Sequence, residues 1–376
     1  MAKHFWIYTH NFTHSGAPLV MASVARELAA AGWREQLRVV SWGGLHDRRH
    51  STLQHELTVE GIHCQVLDLH QRPPHIKRRD RLLLNSLALP EAVVCQALDW
   101  LWDGKLSRLD WYCHEGNPEA FFSGQKWPEN INQALNTGRF RMRVPSLKAL
   151  QVYTNWLHYK GAGLDVQAPQ VLVPEHLIAS ACSDFSSLKI QLTGSVGFGQ
   201  KGHLWILQLL EKVLSQYPQT TKVLRPIRLE FIGIETGPYA ALARKVCSYG
   251  VNLLGENFSW SPQDSHENTL RTMAKSNLSI SCSQDETFSL VSAESMALGQ
   301  PILRNETGGF DEQLNCGDCG FSLGPPSPYV SSLCVQLLGS LRDPQTHSEQ
   351  SFLDKRKQAL NRYACFASSN IINWLI

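Results

Sequence analysis

One stretch of this sequence can be delimited as strand, acidic loop, helix, strand and glycine turn, and that order restricts the chain to an α/β architecture. Residues 278–282, LSISC, alternate apolar and polar side chains as a half-buried strand does. A polar loop with Glu286 follows, where Thr287 or Ser289 can cap the first turn of a helix. Residues 290–298 are rich in good helix formers, and Gly299 and Pro301 stop them. A short apolar strand over 301–303 comes next, then the Gly308-Gly309 turn and Glu312. In an open α/β sheet, ligands bind outside the carboxyl ends of strands, where the acidic loop must lie. Free N–H groups at the helix start suit a phosphate there. Glu294, just inside the helix, can accept hydrogen bonds from a diol such as ribose.

The same alternation runs along the chain. In the first half we expect strands over 5–9, 37–42, 62–67, 81–86, 109–113 and 139–144, with helices over 18–31, 53–59, 90–101 and 146–156. His14-Ser15-Gly16-Ala17 reads as a turn, 71–80 as a basic, proline-bearing loop, and 170–173 closes the half. In the second half, strands are expected over 188–192, 229–234 and 251–254, and helices over 203–214, 238–249 and 268–276. A glycine-rich loop, Gly194 to Gly202 with Lys201 near its end, joins the first of these strands to its helix. Repeated β-α units imply parallel sheets with helices on both faces. The 376 residues suffice for two cores. We place one α/β domain over 1–178, a second over 179–348, and an amphipathic helix within 349–376. Polar residues and serine pairs over 174–187 mark the boundary.

Composition excludes some classes. The formal net charge is +2, so no global basic field points to nucleic acid. No apolar run reaches the ~18 residues of a membrane span, and the N-terminal residues read as a first strand rather than a signal peptide. The ten cysteines are scattered mostly through apolar segments, the habit of buried free thiols, which points to a reducing cytoplasm. Cys316 and Cys319 form a CxxC without a second pair, better read as a glycine-rich turn than as a zinc or redox site. No Asp-x-Asp pair occurs, so no metal bridge to a diphosphate is expected. His75, Lys77, Arg78 and Arg79 form either a solvated loop or a contact for anionic lipid head groups at a membrane surface.

Taken whole, the string from Glu286 through Glu294 to Pro301, with Gly308-Gly309 and Glu312, resembles the paired-glutamate motif of retaining GT-B glycosyltransferases of the GT4 family, the glycosyl transferases group 1. The resemblance is dense over 188–321 and diffuse before it, where Gly16 and His114 carry most of it. It implies two Rossmann-like domains facing each other across a cleft, the acceptor-side one over 1–178 and the nucleotide-sugar-binding one over 179–348. It also implies transfer of a sugar from a nucleoside diphosphate donor to a hydroxyl of a glycan or lipid-linked acceptor, with retention and no cofactor beyond the donor. The final helix would cross back to the first domain.

By the same resemblance Glu294 holds ribose, Glu286 holds donor-sugar hydroxyls, and the backbone of Phe288, Ser289, Leu290 and Val291 faces the pyrophosphate. Lys201 would neutralise the leaving diphosphate. The family carries an arginine shortly upstream of this lysine. Ser195 stands there, leaving Arg304 or Lys160 as candidate replacements. In the first domain, Gly16 after Ser15 would contact the donor, and His114 and Glu115 would lie near the acceptor, His114 and Glu286 joining Lys201 in catalysis. Base recognition would use backbone over 254–261. Residue by residue, each also has a plain structural account: a helix-start carboxylate, an exposed lysine, ordinary capping, a satisfied histidine. A non-catalytic nucleotide-sugar binder or partner subunit on the same scaffold is the alternative function.

Overall fold

The computed structural model describes residues 3–13, 15–42, 48–122, 126–197, 199–218, 223–233, 239–262, 265–314, 319–368 and 375. The chain divides into two compact units, Met1–Val171 with Ser368–Ile376, and Leu172–Ala367.

The first unit runs β1 (Phe5–Thr9), α1 (Gly16–Leu28), β2 (Leu37–Trp42), α2 (Arg48–Val59), β3 (His63–Leu67), β4 (Asp80–Asn85), α3 (Glu91–Trp102), β5 (Leu106–Tyr112), α4 (Lys126–Asn136), β6 (Phe140–Val144), α5 (Leu147–Leu157) and β7 (Leu164–Val166). Its seven strands are all parallel, in the order β3-β2-β1-β4-β5-β6-β7. Ile7 pairs in register with Val39 on one side and Leu83 on the other, and all three are fully buried, as strands covered on both faces require. The core gathers Leu82, Leu84, Leu109, Trp111, Phe140 and Met142 against α3, α4 and α5.

The second unit runs β8 (Leu188–Thr193), α6 (His203–Gln216), β9 (Ile227–Ile232), α7 (Ala240–Leu254), β10 (Phe258–Ser261), α8 (His266–Met273), β11 (Leu278–Ser281), α9 (Leu290–Leu298), β12 (Ile302–Arg304), α10 (Gly308–Gln313), β13 (Gly320–Ser322), α11 (Ser332–Leu341) and α12 (Glu349–Ala367). Its six parallel strands are ordered β10-β9-β8-β11-β12-β13. In each sheet the strand order reverses once, between β1 and β4 and between β8 and β11. Chain segments leaving the carboxyl ends of those strands diverge and leave room for a ligand.

Several elements differ from the sequence expectation. Residues 251–254 are the end of α7, not a strand. The apolar run continues a helical face, with Leu254 buried and Val251 half exposed, until Gly255 at φ +57 breaks it and the strand forms over Phe258–Ser261. Gly308-Gly309 opens a short helix rather than a tight turn. Helices α4 and α11 and the three-residue strands β7 and β13 had no counterpart in the expectation. The final helix ends at Ala367 and packs on α9 inside the second unit. Only Ser368–Ile376 groups with the first unit, where Arg81 Nη1 donates to the Leu375 carbonyl at 2.9 Å. Cys316 lies outside the described residues, and Cys319 is buried. Among the described residues no helix is long and apolar enough to cross a membrane.

Candidate functional site

In the second unit two loops meet at the strand-order reversal. The glycine-rich loop after β8 is pressed close to its neighbours. A Cβ on Gly197 would collide with the Tyr239 carbonyl, one on Gly233 with that of Gly194, and one on Gly202 with Cys282. Gly202, at φ +78, is also the residue that turns the loop into α6. The loop after β11 lies against it through Gln284 N–H donating to the Gln200 carbonyl at 3.4 Å. These contacts bring Lys201 Nζ to 3.1 Å from Glu286 Oε2, with the carboxylate mostly buried and the lysine about one-third exposed.

Ser289 caps α9 by accepting from the Ser292 N–H at 3.1 Å. Its own backbone is clamped by one side-chain amide: Ser289 N–H donates to Gln313 Oε1 at 3.1 Å, and Gln313 Nε2 donates to the Ser289 carbonyl at 2.7 Å. Gly309 lets the next loop close on this turn, since a Cβ there would collide with the Glu286 and Thr287 carbonyls. Among the described residues nothing accepts from the Leu290 or Val291 N–H, so the start of α9 keeps two donors open. Phe288 instead turns toward α12, edge-on to Phe366 at 5.3 Å. Glu294 is held by His266, whose Nε2 lies 2.7 Å from Glu294 Oε1. The Tyr363 phenol is pushed up by its burial, opposed by the Val173 N–H and reinforced by the nearby charge of Glu294.

Ser195 is exposed in the loop. Arg304 is 3 % exposed at the end of β12, paired with Asp311 Oδ1 at 2.7 Å and donating to the Asn305 carbonyl. Lys160 is exposed and belongs to the first unit. His203, at the first position of α6, is 2 % exposed and stacks edge-on against Phe231 at 4.7 Å. Burial, and secondarily the charge of Lys201, lower its pKa to about 3, so the ring is neutral.

In the first unit, the residues expected to act stand at the ends of β1, β4 and β5. His114 Nε2 lies 2.9 Å from Asn85 Oδ1, and Asn85 Nδ2 donates to the Ala17 carbonyl at 3.0 Å. The fully buried Asn85 therefore ties His114 to the Ser15-Gly16 turn. Gly16 has nothing within 4 Å of the position a Cβ would take. Burial first, then the charge of His10, lower the His114 pKa to about 3. Glu115 is differently placed: Oε1 accepts from the Ser86 hydroxyl and Oε2 from the Leu87 N–H at 2.9 Å. Burial raises its pKa and those two donors oppose the rise. The basic loop at 75–79 is anchored by the buried Ile76 and by Asp80, which accepts from the Lys77 N–H at 3.0 Å, with Lys77, Arg78 and Arg79 exposed.

Asn85, His266 and Gln313 carry much of this geometry and were not singled out in the sequence. Each is a lone polar residue at the end or start of an element, and no spacing pattern marks it. Two cavities in the second unit, of 540 Å³ between α6 and α11 and 480 Å³ beside α7 and β10, are lined by other residues. Among the described residues no three His, Cys, Asp or Glu side chains cluster in a way that could hold a metal ion.

Residues 198–337 match the family model for glycosyl transferases group 1. No curated protein matches the chain. Among solved structures, the Anabaena protein HepE in complex with UDP and glucose is similar over 100 % of this chain and 99 % of its own, at 16 % identity and a TM-score of 0.71. A glycosyltransferase from Rickettsia africae is similar over 100 % and 98 %, at 17 % identity and a TM-score of 0.71. An Escherichia coli structure described as trehalose-6-phosphate bound with UDP-2-fluoro glucose is similar over 99 % and 97 %, at 12 % identity and a TM-score of 0.69. The fold is the two-domain GT-B fold of these structures, and the segment that matches the glycosyl transferases group 1 model lies within the second unit.

Proposed function

We propose that this protein transfers a sugar from a nucleoside diphosphate donor to a hydroxyl of a glycan or lipid-linked acceptor, with retention of configuration as in the GT4 family. The observation that carries it is the convergence of Lys201, Glu286 and the open N–H groups of Leu290 and Val291 at one end of the second sheet, with Glu294 one helix turn further on. The helix start donates to phosphate oxygens, and Lys201 adds positive charge where the leaving diphosphate becomes more negative. Glu286 tethers Lys201 in the free protein and accepts from donor-sugar hydroxyls once the diphosphate draws the lysine away. Glu294 takes the ribose. Neighbours of the same fold solved with UDP or its sugars support a uridine nucleotide as the first donor to test. Acceptor chemistry is assigned to the first unit, where His114 presents a neutral ring, and Gly16 gives the donor an unobstructed helix start. No metal is assigned a role: Lys201 and the helix start supply the positive field.

In the proposed retaining route the departing phosphate takes the proton of the acceptor hydroxyl on the face where the new bond forms. Glu294→Ala should retain the fold and lose transfer; full activity in that variant would overturn the assignment. A second function, nucleotide-sugar binding without transfer, is favoured by one observation. The expected arginine is Ser195, and Arg304 is already committed to Asp311. Slow donor hydrolysis by the purified protein supports transfer, and binding with neither hydrolysis nor transfer supports the second.

A further inference from the structure

Glu294 is nearly buried, its side chain 6 % exposed, and a carboxylate so placed needs hydrogen-bond donors. The structure supplies His266, whose Nε2 stands 2.7 Å from Oε1. This is the spacing of a charge-assisted bond, and it fixes the tautomer: Nε2 must carry the proton, because a bare ring nitrogen would face the carboxylate lone pairs. Among the described residues no donor reaches Oε2, so one oxygen is anchored and the other remains an open acceptor. His266 is itself held. It is the first residue of α8, whose cap Ser265 accepts from the Asn268 N–H at 3.2 Å, while Thr269 Oγ1 donates to the Ser265 carbonyl at 2.8 Å. The ring therefore comes from a capped helix packed against α9, not from a loose loop.

We infer that His266 is a positioning residue that aims the free oxygen of Glu294 at the ribose hydroxyls, making this site select ribonucleoside diphosphates over their 2′,3′-dideoxy counterparts. This rests on the proposed donor site. Without His266, Glu294 would rotate among several rotamers, and its hydroxyl contacts would have to order it on binding. The effect belongs to the ribose contact, so it disappears when the ligand has no hydroxyls to offer.

Titration calorimetry on the full chain tests this, with UDP, ADP or GDP, whichever binds, and the matching 2′,3′-dideoxynucleoside diphosphate. We expect His266→Ala to weaken the ribonucleotide about tenfold, as loss of a hydrogen bond to a charged group does. Affinity for the dideoxy compound should stay within about twofold, and His266→Gln, which keeps a side-chain N–H, should recover most of the loss. Equal weakening of both ligands in His266→Ala, or unchanged affinity for both, overturns the inference and leaves the donor site standing. Failure of wild-type protein to bind any of the three ribonucleotides overturns the donor site as well.

Discussion

The two units place their chemistry-bearing side chains at the same point of similar sheets and treat charge in opposite ways. In the second unit, Lys201 with Glu286 and His266 with Glu294 are charged or charge-assisted pairs at the open ends of β8, β10 and β11, and Lys201 remains about one-third exposed. In the first, both oxygens of Glu115 serve the chain segment at Ser86 and Leu87, and His114 is a neutral ring held by Asn85. One unit keeps ionic groups available to a ligand; the other uses polar groups to fix its own loops. Position at a sheet switch point therefore does not make a side chain available. Whether its hydrogen-bonding capacity is already taken up decides that.

The sharpest way to break this contrast is a pair of substitutions. Lys201→Ala should lower kcat/KM for transfer by about 10²–10³ with little change in Tm, because the positive group proposed to face the leaving diphosphate is lost. Glu115→Gln should do the reverse. One acceptor becomes an N–H facing a donor, at a cost of about 1–3 kcal/mol in stability, while kcat changes little. Denaturant unfolding beside steady-state kinetics on both variants checks it, and a catalytic loss confined to Glu115→Gln would reassign that residue to the acceptor.

The glycines give a second, smaller contrast. Gly309→Ala would push against the Glu286 and Thr287 carbonyls, and relief of such overpacking costs about 1–3 kcal/mol, read as a lowered midpoint for the second unit. Gly16→Ala has open space and should move stability by less than about 1 kcal/mol, so any change in turnover there reports on the ligand.

Acid sensitivity sets the two units side by side in a third way. His114 and His203 both have native pKa values lowered to about 3, below the ordinary histidine value of 6.5. Between those limits the unfolded chain binds more protons than the native one, so stability is present above about pH 6.5 and is lost as pH falls toward 3. Each histidine contributes a slope of about 1.4 kcal/mol per pH unit in that window. His203→Leu should flatten the pH dependence of the second unit, and His114→Gln that of the first, as followed by melts from pH 7 to about 4. A pH dependence unchanged in His203→Leu would mean that ring is hydrated in the native state.

Much of the fold was legible because it follows from local periodicity and punctuation. The helix over 290–298, its stop at Gly299 and the glycine-rich loop before α6 stand as the residues implied. Residues 251–254 are ambiguous in sequence because a short apolar run suits a strand and a helix end equally, and only the packing of α7 separates them. The short strands β7 and β13 hold too few residues to show alternation. Within the candidate site, the glutamates and Lys201 were legible from one contiguous motif and one loop. Their partners were not, since His266 lies 28 residues from Glu294 and Gln313 lies 24 from Ser289.

By itself the sequence determined the α/β alternation, the capped helix with its acidic entry loop, and the types of side chain present at the candidate site. The tertiary structure alone decided which of those side chains remain available: Glu286 against Lys201, Glu294 against His266, Glu115 committed to Ser86 and Leu87, and Arg304 to Asp311. The physical reason is range. Periodicity and capping act within a few residues, whereas hydrogen-bond satisfaction in a buried place depends on whatever groups the packed sheet brings alongside.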